Sequence, residues 1–272
     1  MKSITHILFL VIGCIWLFAC EEKSDLLLKT SETDLIVVEG IVTNQKISHR
    51  IKFSHTYTSQ NETPPPLTPD TVLITDGENV YSLTESPLGS GTFYTPPFRA
   101  VFGRAYFLVF FYQGEQYTAV DSPPPGQPLS PLSYEQIDEN ATMSRQLILG
   151  DTTSTSSNFV EHEVNWENTS ACSPSDDCFS RLVYYDLKTI DVQEIYKPEK
   201  EELLFPAGSQ IVRKKYSVSE PYEVYLRSLL SETEWRGGIF DIQRANVTTN
   251  LSEGAIGFFA ASTVVIDTTI VE

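Results

Sequence analysis

Short β-prone runs closed by turn residues recur along residues 35–120, and no other feature constrains the fold as much. Such a rhythm builds antiparallel sheets and not a helical bundle. Residues 35–43 read as an opening strand, with Gly40 expected as a bulge. In residues 49–55, Ile51 and Phe53 share one face while Arg50, Lys52 and Ser54 share the other, the alternation of a half-buried strand. His49 and His55 lie at the ends of the apolar face. Six residues of extended chain separate them by roughly 20 Å, which makes them rim residues and not a ligand pair. Asp76-Gly77-Glu78 separates two β-prone runs, a strong hairpin signal, and Gln113-Gly114 does the same further on. Residues 106–112 are apolar on both faces, so they are expected centrally in a covered sheet. The whole pattern predicts a mainly β chain that opens with a β-sandwich.

Proline divides the remainder. Pro64-Pro65-Pro66 with Pro69 reads as a stiff loop inside the sandwich. Pro123-Pro124-Pro125, Pro128 and Pro131 read as a linker over 123–131, separating a sandwich domain at 35–122 from a β-rich second domain at 132–272. Within the second part, residues 151–158 read as a polar loop or hairpin tip, and 182–196 and 210–218 as strands. Arg213-Lys214-Lys215 reads as a solvated strand end. Ser219-Glu220-Pro221 opens an amphipathic helix in which Tyr222, Tyr225, Leu226, Leu229 and Leu230 form one face, running to about Glu234. That face is expected to cover a sheet of the second part. Trp166 and Trp235 are read as core residues, and residues 256–270 as a closing β segment. The first strand, the 72–83 hairpin, Gly91-Thr92-Phe93-Tyr94 and residues 103–108 together resemble prealbumin-like or immunoglobulin-like modules of exported bacterial proteins.

The N-terminus carries an address. Lys2 precedes an apolar run of twelve residues at 7–18. A bilayer-spanning helix takes roughly 20 apolar residues, so the run fits a signal-peptide core, with small Ala19 after it. Residues 1–19 are therefore read as a lipoprotein signal peptide and 20–34 as an acidic tether containing Glu21-Glu22-Lys23-Ser24-Asp25. Leu17-Phe18-Ala19-Cys20 resembles the bacterial lipobox, which makes Cys20 the lipidated residue. Val11-Ile12-Gly13-Cys14 fits the letters too, but it leaves a six-residue apolar core; ordinary cleavage without lipid is the third reading. Each buried acyl CH₂ contributes about 0.8 kcal/mol, so a multiply acylated Cys20 would hold the chain on a membrane. Acidic residues beside the lipid cysteine also resemble a surface-export signal.

With Cys14 removed and Cys20 lipidated, Cys172 and Cys178 remain in a turn-rich stretch of an oxidising compartment. A local disulfide is the favoured reading. Metal ligation would need two more ligands, and the redox spacing C-x-x-C is absent. The chain holds 36 acidic against 19 basic residues, a formal charge of −17 that excludes nucleic acid as a partner. No catalytic, cofactor-binding or metal-binding residue is assigned, because no nucleophile elbow, zinc helix, phosphate loop or calcium loop is written in the chain. Glu161-His162-Glu163 reads as an exposed polar strand with His162 opposite the two carboxylates. Glycosidic carboxylate pairs meet in space and leave no spacing to read, so a hydrolase with dispersed carboxylates stays open as a third hypothesis.

The last stretch carries a resemblance to a family. Gly237-Gly238-Ile239-Phe240-Asp241, Ala245-Asn246-Val247-Thr248-Thr249-Asn250 and the run from Gly254 through Gly257 to Ser262 resemble the C-terminal motif of domain-of-unknown-function family 4249 of Bacteroidota. The lipobox cysteine, acidic tether, Val37-Val38-Glu39-Gly40 strand and Pro-rich loop before Asp-Gly are similar to its N-terminal pattern. The resemblance implies an outer-membrane lipoprotein, encoded beside TonB-dependent receptors, and brings no catalytic residue with it. The expected role is a non-enzymatic accessory that binds a small molecule, glycan or peptide, or docks on such a receptor. The alternative is a surface adhesin or structural envelope protein. Gly237-Gly238 would end the helix, while Gly254 and Gly257 would permit turns or close backbone approach.

Overall fold

The computed structural model describes residues 35–56, 63–137, 141–149, 156–173, 175, 177–187, 203–233 and 247–272. The signal peptide, Cys14, Cys20, the acidic tether, Trp235 and the Gly237-Gly238 stretch lie outside the described residues. In chain order the first strands are β1 (Ile36–Thr43), β2 (Arg50–His55), β3 (Thr71–Thr75), β4 (Val80–Ser82), β5 (Thr84–Glu85), β6 (Thr92–Tyr94), β7 (Tyr106–Tyr112) and β8 (Glu115–Asp121). Then follow β9 (Tyr134–Gln136), β10 (Arg145–Leu147), β11 (Asn158–Asn165), β12 (Phe179–Asp186), β13 (Leu204–Phe205) and β14 (Gln210–Ser217). Helix α1 (Glu220–Thr233), β15 (Ala255–Ser262) and β16 (Val264–Ile270) complete the chain. The expectation of a mainly β protein with one amphipathic helix holds among the described residues.

Two sheets, ordered β15-β1-β2-β6-β5 and β4-β3-β7-β8, face each other across a shared core. Val38, Ile51 and Phe53 from one sheet meet Ile74, Leu108 and Phe110 from the other, all fully buried. Each such side chain contributes roughly 1.5–3 kcal/mol of burial. Phe53 sits edge-on to Phe93 at 5.4 Å and to Phe110 at 5.0 Å, so the rings add directional packing. Both hairpins form as their turn residues require. Asp76 Oδ1 accepts from the Glu78 and Asn79 amides at 3.0 and 2.7 Å. Gln113 and Gly114 both take positive φ between β7 and β8, as a two-residue primed turn demands.

Gly40 is not a bulge. The β1–β2 register is unbroken up to Gly40 opposite Ile51, and the β1–β15 register continues past Gly40 without an extra residue. A Cβ on Gly40 would lie 2.2 Å from Ile51 Cδ1, so glycine is there to let Ile51 fold over it into the core.

A second pair of sheets, β12-β11-β14-β16 and β13-β10-β9, shares a smaller core of Val164, Trp166, Leu182, Ile211 and Phe205. Cys172 and Cys178 are disulfide-bonded, as the cysteine reading expects, and Cys178 is buried beside Trp166.

The two halves drawn in the sequence share structure. Residues 34–272 form one compact unit. β15, from the second half, pairs in parallel with β1 along eight residues. Only Thr263 separates it from β16, so the chain steps directly from the first pair of sheets to the second. The proline-rich stretch 123–131 is built into the unit as a strap. Its carbonyls at Pro124, Pro128 and Ser130 accept from Thr263 Oγ1 (2.6 Å), Lys215 Nζ (3.0 Å) and Arg213 (2.9 Å).

Helix α1 starts where the capping pattern places it: Ser219 Oγ accepts the Tyr222 amide at 3.3 Å. Its apolar face reaches beyond the second part. Tyr222 and Tyr225 lie 4.9 and 5.1 Å from Phe258 of β15, and Tyr222 lies 6.5 Å from Phe159 of β11. The helix therefore covers the junction between the two pairs of sheets.

Candidate functional site

Helix α1 covers that junction, and among the described residues the outer face of the β4-β3-β7-β8 sheet is left open. β7 is an interior strand of its sheet, as its sequence predicts, but among the described residues no segment covers its outer face. Tyr106, Leu108 and Phe110 point inward and are buried, whereas Phe107 and Phe111 point outward, at 42% and 36% exposure. Opposite residues of paired strands share a face. Phe107 therefore lies beside Val120 of β8 and Thr75 of β3, and Val109 beside Leu73. Val120 is 44% and Val80 65% exposed, extending the patch across all four strands.

One end of this face is fixed by charge. Arg104 donates to Asp76 at 2.9 Å and to Glu78 at 2.8 Å, drawing the Val101–Phe102 loop against the β3–β4 turn. Val101 and Phe102 are themselves 50% and 63% exposed. Desolvation pushes the Asp76 carboxyl up, but the Asn79 amide, the Arg104 guanidinium and further hydrogen bonds outweigh it and hold the group at about 2. The turn stays charged and rigid beside an apolar surface. An exposed, largely apolar sheet face of this kind is suited to another macromolecule more than to a small solute.

The titratable residues singled out in the sequence are committed elsewhere. Glu161-His162-Glu163 is not an exposed strand: β11 is interior to its sheet, and Glu161 and His162 are both 6% exposed. The two carboxylates do share a face opposite His162, as alternation requires. Glu161 pairs with Arg181 and accepts from the Tyr216 hydroxyl at 3.3 Å, while Glu163 pairs with Lys214 at 2.5 Å. On the other face His162 lies across from Arg213. Burial pushes the imidazole down and the Arg213 charge adds to it, bringing the group to about 4.

The basic cluster is not a solvated strand end either. Arg213 and Lys215 are 6% and 1% exposed. Two residues apart on β14, they meet carbonyls two residues apart on the strap, because both segments are extended and repeat with period two. Proline offers acceptors but no amide donor, so the strand's side chains supply the donors.

Beside this contact lies an open groove of about 380 Å³, lined by Pro128–Pro131, Arg213 and Val265–Asp267. His49 is a core residue more than a rim residue: it is 2% exposed and its Nε2 lies 3.0 Å from Phe98 O. His55 stays half-exposed, edge-on to Tyr112 at 6.3 Å. Trp166 is buried as expected. Among the described residues no group of three or more His, Cys, Asp or Glu side chains is placed to hold a metal ion. No helix among them is long and apolar enough to cross a membrane.

A family model matches residues 21–267, nearly the whole described body and the tether before it. The chain belongs to the family described as domain of unknown function (DUF4249). No curated protein matches it.

In this DUF4249 chain the C-terminal motif closes a sheet edge. Asn250 accepts from the Phe259 amide (3.1 Å) and donates to the Phe259 carbonyl (2.8 Å), while Thr249 Oγ1 donates to Gly257 O at 2.8 Å. Asp121 accepts from the Ala261 amide at 2.8 Å. Gly257 has φ +94°, and a Cβ there would lie 2.1 Å from Val38 O, so the close approach expected of this glycine is real.

Proposed function

We propose that this protein is a lipid-anchored envelope protein without catalytic chemistry, which docks through the outer face of β3, β4, β7 and β8 onto a TonB-dependent receptor as an accessory to nutrient uptake. The observation that carries the reading is the open patch of Phe107, Val109, Phe111 and Val120 on a rigid sheet. The carboxylates best placed for acid–base chemistry, Glu161 and Glu163, are tied in ion pairs with Arg181 and Lys214 that hold neighbouring strands together. Resemblance to envelope lipoproteins encoded beside such receptors supplies the class of partner, and Cys20 supplies the anchor. The exposed face also suits an adhesin, and that second reading differs in where its partner resides.

Two variants test the proposal. Cys20→Ala moves the protein out of the membrane fraction; retention there contradicts the anchor. Phe107→Glu combined with Val120→Lys leaves unfolding stability within about 0.5 kcal/mol, as surface changes do, and abolishes copurification of a β-barrel receptor from detergent extracts. Unchanged copurification contradicts the docking face, and capture of material from other cells in place of a receptor supports the adhesin.

A further inference from the structure

The ladder between β14 and β16 determines which backbone groups of β16 face outward. Ser217 N–H donates to Thr263 O at 3.0 Å and Val271 N–H to Ser209 O at 2.9 Å. In an antiparallel pair such bonded positions alternate, so odd-numbered residues of β16 turn their backbone groups toward β14. Val264, Ile266, Thr268 and Ile270 turn theirs to the outer edge. At Val264 the edge is closed, because Asn44 accepts from its amide (2.8 Å) and donates to its carbonyl (3.2 Å). Among the described residues no other strand or side chain closes Ile266, Thr268 and Ile270 in this way; the Thr268 amide is met by the carboxyl of its neighbour Asp267 alone.

Most other sheet ends among the described residues are protected, and β12, the opposite edge of the same sheet, carries the charged Arg181 and Asp186. β4, β5, β9 and β13 have three residues or fewer. The long edge of β15 is capped in succession at Gly257, Phe259 and Ala261 by Thr249, Asn250 and Asp121. β8 is bonded by Ser252. β16 has seven residues, no proline, no lysine and an unbroken register, and its outward-facing Ile266 and Ile270 are 44% and 68% exposed. An edge with these properties is a template for another strand.

We propose that β16 pairs antiparallel with β16 of a second copy of this chain, about a two-fold axis at Thr268. The strand is complementary to itself in that register. Ile266 meets Ile270 of the second copy, Thr268 meets its own counterpart, and Ile270 meets Ile266, closing about six backbone hydrogen bonds. Charge permits the pairing although the chain carries −17 overall. Asp267 is neutralised by Arg213 at 2.6 Å and falls opposite Thr269 of the copy, so no carboxylate opposes another. The pairing joins two four-stranded sheets into one continuous sheet across the dimer.

The register gives a sharp test on the full chain expressed in cells. Counterpart residues at the axis lie about 5.5 Å apart between Cα atoms, within the reach of a disulfide. Under mild oxidation Thr268→Cys is expected to give a doubled-mass band on a non-reducing gel, at least tenfold above Thr269→Cys and above the parent chain. Thr268→Pro, whose missing amide points away from β14, is expected to keep the circular-dichroism melt while light scattering of the detergent-solubilised chain falls from dimer to monomer. A monomeric parent chain overturns the proposal. So does equal cross-linking at the two positions, or a dimer that survives Thr268→Pro.

Discussion

His162 shows how far a single residue's role here depends on its depth. Its imidazole is buried across from Arg213, and burial first, then that charge, holds its pKa at about 4, below the ordinary 6.5. A depressed value means that folding favours the neutral ring. The contribution is therefore complete above pH 6.5 and is lost as the pH falls toward 4. Melting temperature is expected to drop across that window, and the drop is expected to shrink in His162→Gln. Some slope remains, because burial also lowers the pKa of His49. At Gly257 the constraint is steric. Gly257→Ala is expected to cost about 3 kcal/mol in urea unfolding, since it combines a positive φ with a clash on the Val38 carbonyl. Alternation assigned His49 to the apolar face, but not to its depth, because a period of two names a side of the strand and not the layer above it. Arg213 and Lys215 were opaque for another reason. Their acceptors are backbone carbonyls 83 and 87 residues away, and a carbonyl leaves no mark in a sequence.

Elements formed by local chemistry were readable, and those closed by distant chain were not. The Asp-Gly and Gln-Gly hairpins and the Ser219 cap each occupy a few consecutive residues, and each forms as read. The parallel pairing of β1 with β15, and the Asn44 clamp on Val264 across 220 residues, have no local signature. The same limit hid the strap, since proline-rich chain reads as a linker wherever its carbonyl partners are unknown. The clamp on β15 can be measured. Asn250→Ala removes two bonds to Phe259 and one to Val120 O, and is expected to destabilise the fold by about 1–3 kcal/mol. Faster amide exchange confined first to Phe259 and its neighbours would locate the loss at that edge. A global loss with no local onset would assign Asn250 a different role.

For the whole molecule, the strap, the helix, the β1–β15 pairing and the Asn44 clamp serve to join two pairs of sheets, and among the described residues nothing covers one apolar sheet face. Among the described residues the cover expected over β7 is therefore not found. The run is apolar on both sides, as a covered strand would be, yet the helix that could have covered it lies at the β15–β11 junction. In the proposed function this face meets a receptor in the membrane that would also hold a lipid on Cys20. A photo-activated cross-linking side chain placed at Phe107 in intact cells tests that most directly, with exposed Glu135 of β9 as the control position. The account predicts an adduct with a β-barrel receptor from Phe107 and none from Glu135. Absence of a receptor adduct at Phe107, or equal labelling from both positions, would contradict it.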